Sequence, residues 1–140
     1  MIYVDTNVLV AYVNNRDEMH DRAVALISSH RGEDLVVSQL VILELYSTFG
    51  RVMDVSDIEL EALVKYVIRV CGVKSIEVDW DALYQQSLSY ANKLKLRTLD
   101  LLHVVAAHLI GAKAIMSFDK DINGRSRVIA DLLKMNVIGL

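Results

Sequence analysis

The chain has 140 residues, of which 54% are hydrophobic and 24% charged, and it carries a formal net charge of −3. This length and apolar share suit one domain over residues 1–140 with a sizeable core and exclude a disordered chain, while the acid excess leaves any nucleic-acid substrate dependent on a local basic patch or bound cations. One cysteine, Cys71, excludes an internal disulfide; no apolar run approaches the roughly 20 residues of a membrane span, and no signal-peptide pattern opens the chain, so the expected location is cytoplasmic.

In chain order, Ile2–Val4 reads as a short buried strand that ends on Asp5, followed by Thr6, Asn7 and a short helix over 8–13. A second helix is predicted over 19–29, with Ala23, Val24, Leu26 and Ile27 on one face. Residues 35–38 form a β-branched strand, and 39–51 a strongly apolar helix. Ser56 and Glu59 have the spacing of a capping box ahead of a helix over 57–70, which Gly72 stops. Residues 73–78 mix apolar and charged side chains and suit a strand at a sheet edge. Asp79 or Asp81 opens a helix to Leu94, and a basic connector leads to Thr98, read as the cap of a helix over 99–110 that Gly111 ends. Residues 114–116 are a strand, 117–124 a polar loop, 126–134 a helix and 137–138 a last short strand. Alternating strands and helices imply an α/β fold with a parallel sheet covered on both faces.

Four carboxylates do not suit their surroundings. Asp5 sits at a strand end, where open α/β sheets bind ligands, although Asp5, Thr6 or Asn7 could equally cap the next helix. Glu44 is the only charge between Ser38 and Arg51, and its neighbours three and four residues away include Leu40 and Val41. Asp100 lies in the first turn of a very apolar helix, where the helix dipole alone would favour it. Asp119 again follows an apolar strand, with Asp121 two residues on and an Asx-type turn as the competing reading. Together Asp5, Glu44, Asp100 and Asp119 could converge at one edge of the sheet. Such a cluster needs cations, and oxygen ligands without a His or Cys cluster select Mg²⁺ or Mn²⁺. Ions of this kind in an open acidic pocket suit phosphodiester hydrolysis.

The segments Ile2-Tyr3-Val4-Asp5-Thr6-Asn7, Thr98-Leu99-Asp100-Leu101-Leu102-His103 and Ile115-Met116-Ser117-Phe118-Asp119-Lys120-Asp121, with the helical Glu44 between the first two, resemble the PIN-domain family in order and spacing. Within that family the chain is most similar to VapC-type toxins. The resemblance implies a three-layer αβα fold with a five-stranded parallel sheet of order 3-2-1-4-5. It also implies a Mg²⁺- or Mn²⁺-dependent endoribonuclease that forms a homodimer and is inhibited by a cognate antitoxin.

On this resemblance Asp5, Glu44, Asp100 and Asp119 take the acidic positions, with Asp5, Asp100 and Asp119 as metal ligands and Glu44 completing the pocket. Thr6, Asn7 and Ser117 take supporting positions. Asp121 and His103 stand beside them, His103 more simply as a buried structural histidine. Lys120, Arg125 and Arg127, together with Lys93, Lys95 and Arg97, are candidate phosphate contacts, against a solvated face. Ile122 stands where the family usually has an aromatic. Competing readings are a PIN-like scaffold that binds RNA or protein without cutting it, and an RNA-processing nuclease outside a toxin pair. A HAD-like phosphatase also opens on a strand ending in Asp, but needs a second Asp where this chain has Asn7.

Overall fold

A computed structural model describes residues 1–140. The strands are β1 (Ile2–Val4), β2 (Leu35–Val37), β3 (Lys74–Ser75), β4 (Ala114–Met116) and β5 (Asn136–Ile138). The helices are α1 (Thr6–Val13), α2 (His20–Ser29), α3 (Gln39–Val52), α4 (Asp57–Cys71), α5 (Trp80–Leu94), α6 (Thr98–Ile110), α7 (Lys120–Gly124) and α8 (Ser126–Leu133). All strand pairs are parallel, in the order β3-β2-β1-β4-β5. This is the order expected from the resemblance.

The residues of β1, β2 and β4 are all buried, as continuous apolar strands covered on both faces must be. Lys74 and Ser75 of β3 are exposed, which fits the edge position their polarity suggested. Helices α1–α4 pack among themselves, as do α5–α8. The chain reverses its direction across the sheet once, between β3 and β4, so right-handed crossovers put the two groups on opposite faces. A core of 35 buried apolar residues fills the layers. Cys71 is buried within it, and burial pushes its thiol up to about 12, so it packs rather than reacts. No helix is long and apolar enough to cross a membrane.

Several local expectations shift. Helix α1 begins at Thr6 rather than Val8, because Asp5 itself is the cap: its Oδ1 accepts from the Thr6 N–H at 2.7 Å. Thr98 lies inside α6, behind Arg97, whose side chain makes no capping bond. The edge strand shrinks to Lys74–Ser75, since it has a neighbour on one side only. The stretch read as a polar loop contains α7, whose first amides, Asp121 N and Ile122 N, are both held by Asp119 Oδ1 at 2.8 and 3.0 Å. Ser56, Asp79, Gly72 and Gly111 act as read: the first two cap α4 and α5, and the glycines end α4 and α6 at φ +69° and +85°.

β1 and β4 are neighbours from which the connections leave in opposite directions. The crevice at their carboxyl ends is therefore the topological switch point of the sheet, where this fold class binds ligands.

Candidate active site

The register Val4↔Met116 brings the residues after β1 and β4 side by side. Asp5, 5% exposed, is held by three side chains or amides besides its own strand. Oδ1 accepts from Thr6 N, while Oδ2 accepts from Ser117 Oγ at 2.7 Å and Asn7 Nδ2 at 3.3 Å. Asn7 Oδ1 accepts in turn from Phe118 N at 3.1 Å, and the Asp119 N–H donates to Ser117 Oγ at 3.0 Å. Thr6, Asn7 and Ser117 thus tie the end of β1 to the end of β4 through the carboxylate between them. Asn123 adds a clamp from α7, donating to the carbonyls of Ser117 and Asp119 at 2.8 and 2.7 Å. Ile122 is fully buried.

Glu44 comes from the second turn of α3 and is half-buried, with a side chain 26% exposed. Its Oε1 accepts from Thr6 Oγ1 at 2.6 Å and from His103 Nε2. Asp100 and His103 sit three residues apart on one face of α6. His103 is 2% exposed, and its Nδ1 meets the Tyr3 hydroxyl at 2.8 Å.

These groups line a cleft of about 320 Å³ whose other walls include Asp17, Val10, Thr48 and Leu99. Potential ligand atoms fall into two sets, Asp5–Glu44–His103 and Asp100–Asp119–Asp121, each with all atoms within 4.8 Å of one another. Asp17 was not singled out from the sequence, because a turn aspartate accepting from the Met19 N–H has no distinguishing pattern. Tyr3 and Ser38 were also missed as site supports; they read as strand and strand-end residues. No Lys or Arg lines the cleft. Lys120 and Arg127 are exposed and Arg125 is half-buried, all on or between α7 and α8 outside it. His108 packs edge-on against Tyr90 and does not line the cleft.

The electrostatics of the two sets differ. Burial pushes the Asp5 carboxyl up, against the pull of His103 and the Ser117 hydrogen bond. Burial also raises Glu44, but the hydrogen bond and charge of His103 outweigh it and hold the acid below its usual range. His103 is raised: burial alone would lower it, but Glu44, Asp5 and Asp100 favour the imidazolium. Asp100 is pushed up to about 6 by burial and then by Asp119, Asp5 and Asp121, with only His103 opposing. The inner set thus has the His103 imidazole between its two acids, whereas Asp100, Asp119 and Asp121 of the outer set have no basic side chain among them. Glu44 Oε2, Asp119 Oδ2 and both Asp100 oxygens accept no hydrogen bond from the chain. Open, hard oxygen acceptors around an uncompensated acidic cleft fit a divalent cation of the Mg²⁺ or Mn²⁺ kind.

The sequence profile of the PIN domain matches residues 2–127. The chain belongs to the PIN-domain family. The solved structures similar to this PIN domain share its fold at low sequence identity. Mycobacterium tuberculosis VapC20, described as a toxin that cleaves the sarcin–ricin loop, is 20% identical, with 89% of this chain and 94% of that one covered at a TM-score of 0.67. A VapBC2 complex from Rickettsia felis bound to promoter DNA is 14% identical, covering 100% and 99% at 0.67. VapBC-1 from nontypeable Haemophilus influenzae is 18% identical, covering 99% and 98% at 0.67. No curated protein matches the sequence.

Proposed function

We propose that this PIN domain is a divalent-metal-dependent endoribonuclease and the toxin of a type II toxin–antitoxin pair. One observation carries the reading. Acids from four separate segments, Asp5, Glu44, Asp100 and Asp119, share one cleft at the switch point of the sheet that no Lys or Arg lines. Several of their oxygens accept no hydrogen bond from the chain, and Asp100 is raised by burial and then by its acidic neighbours, the environment of a site suited to a cation.

In this reading Asp5, Asp100 and Asp119 hold Mg²⁺ or Mn²⁺, directly or through water, with Asp121 beside Asp119. A bound divalent ion supplies Lewis acidity toward a phosphate and an activated water at neutral pH. Thr6, Asn7 and Ser117 fix the Asp5 carboxylate and keep it from turning out of the cleft. Glu44 keeps Oε2 available to accept a proton or a water hydrogen bond, because its anchoring bonds both fall on Oε1. Lys120, Arg125 and Arg127 follow Asp119 on or between α7 and α8 and lie outside the cleft lining, which suits contact with phosphates flanking the scissile one. Asp5 and Asp100 are thereby assigned to chemistry as well as to their helix ends.

The toxin assignment is supported by structural likeness to VapC20 and to two VapBC complexes. It carries with it an antitoxin partner and a homodimer. Both partners need apolar surface, and Leu43, Val52 and Ile58 around the α3–α4 junction and Tyr84 and Leu88 on α5 are exposed. The deciding experiment is cleavage of RNA by purified protein with Mn²⁺, with chelator, and with Asp5→Asn or Asp100→Asn. The parent should cut only with the divalent ion, and each variant should fold yet lose at least about 100-fold in rate, the scale of several kcal/mol of lost charge stabilisation. Full activity in Asp5→Asn, or activity that survives exhaustive chelation, overturns the metal mechanism. RNA bound but left whole in a single turnover with Mn²⁺ favours the scaffold alternative.

A further inference from the structure

A line of hydrogen bonds runs from the middle of the sheet into the cleft. Ser38 Oγ meets Tyr3 Oη at 2.8 Å, and Tyr3 Oη meets His103 Nδ1 at 2.8 Å. His103 Nε2 meets Glu44 Oε1. The members come from β1, the cap of α3, α6 and the body of α3, separated by as many as 100 residues in sequence. Tyr3, Ser38 and His103 are buried at 0%, 0% and 2% exposure. Apolar side chains of similar volume would fill this space without the cost of satisfying four polar groups.

The bond directions follow from chemistry. Glu44 is held ionised and only accepts, so Nε2 is the donor whether the ring is neutral or charged. In the neutral ring Nδ1 accepts, and the Tyr3 hydroxyl donates to it. In the imidazolium Nδ1 donates to Tyr3, which turns its proton toward Ser38. Both states keep the ring in one orientation. The Asp5 Oδ1 atom, 3.9 Å from Nε2, is too far to share the donor. His103 and Thr6 therefore both bond Oε1 of Glu44 and neither bonds Oε2.

We infer that His103 is a positioning residue for Glu44, and that the buried hydroxyls of Tyr3 and Ser38 lock its ring so that Glu44 presents Oε2 to a divalent ion or the ion's water shell in one fixed orientation. The inference rests on the divalent-ion reading of the cleft. It differs from a packing role for His103 in a measurable way: the ring acts on the ion only through Glu44.

The test is Mn²⁺ binding to RNA-free protein, followed by the electron paramagnetic resonance of the free ion, with thermal melts as the folding control. His103→Leu should weaken Mn²⁺ binding by about 10- to 100-fold, the usual effect of losing a partner that orients a group at a metal site. His103→Gln should recover most of the loss, since its amide N–H can replace the Nε2 donor. Tyr3→Phe, which removes one oxygen, should weaken binding by a smaller factor, about three- to tenfold. In a Glu44→Gln background none of the three should change the affinity further. Parent-like binding by His103→Leu overturns the inference, and so does an equal loss in the Glu44→Gln background. If His103→Leu does not fold, unchanged binding by Tyr3→Phe overturns it instead. A parent that binds Mn²⁺ but leaves RNA intact defeats the nuclease reading and leaves this one standing; a parent that binds no Mn²⁺ defeats both.

Discussion

Asp100 is the acid whose surroundings compensate it least, and its titration reports on the cleft. Its carboxyl is raised to about 6, by burial first and by Asp119, Asp5 and Asp121 next. A raised carboxyl contributes stability that is present below its ordinary value and lost as pH rises through the folded value. The metal-free parent should therefore lose stability relative to Asp100→Asn between about pH 4 and about pH 6, with no further relative loss above that window. Melting curves of the two proteins across this range check the sign; a parent that gains on the variant would contradict it. Mn²⁺ binding should tighten over the same window, because a ligand must shed its proton before it can coordinate. Asp5 poses a different question, since it caps α1 as well as lining the cleft. Asparagine caps about as well as aspartate, so Asp5→Asn keeps the helix start and removes the charge. Asp5→Ala should in addition cost about 0.5–2 kcal/mol in stability, visible in denaturant unfolding.

At the scale of elements, the site depends on how β4 and its successors are held. Ser117 N donates to Ile138 O at 2.8 Å, which locks the end of β4 to β5. Beyond β5, Gly139 has φ +155° and passes so close to Ser117 that a Cβ would stand 1.9 Å from its carbonyl oxygen. Only glycine fits there without moving Ser117, whose hydroxyl holds Asp5. Gly139→Ala should therefore do two things together. It should destabilise by about 1–3 kcal/mol, the range for overpacking a well-packed site, and it should weaken divalent-ion binding. Loss of stability with unchanged Mn²⁺ affinity would show that Ser117 does not transmit the displacement. The α7 helix matters in the same way: Asp119 caps it through Oδ1, leaving Oδ2 open, so a local helix start fixes a side chain that also faces the cleft.

At the scale of the whole molecule, the parallel sheet brings residues from both ends of the chain to one crevice and concentrates acid there, on a chain whose net charge is already −3. Repulsion inside the cleft opposes folding, and on the proposed function a bound divalent ion would relieve it. A ligand that binds only the folded state at 100 times its Kd adds about 2.7 kcal/mol. Mn²⁺ should accordingly raise the Tm of the parent by several degrees and leave that of Asp100→Asn much less changed. Differential scanning calorimetry with and without the ion reads this directly. Equal shifts in both proteins would place the stabilising ion outside the cleft.

The linear chain determined the layout. Apolar strand runs alternating with amphipathic helices specified a parallel sheet, and charges set among apolar residues marked Asp5, Glu44, Asp100 and Asp119, because misplaced charge is the costly feature a sequence shows most plainly. The order of the strands and the roles of those acids came instead from resemblance to a family. What the tertiary structure decided lies in contacts between distant segments. Tyr3 and Ser38 look like ordinary strand-end residues until β1, α3 and α6 bring their hydroxyls to His103. Asp17 looks like any turn aspartate until α1 and α2 carry it to the cleft wall. The loop after β4 becomes α7 because Asp119 supplies the cap that a polar run alone did not reveal. Local periodicity reports which face of an element is buried; which polar atoms meet across elements is set only when the sheet closes and every buried donor needs an acceptor.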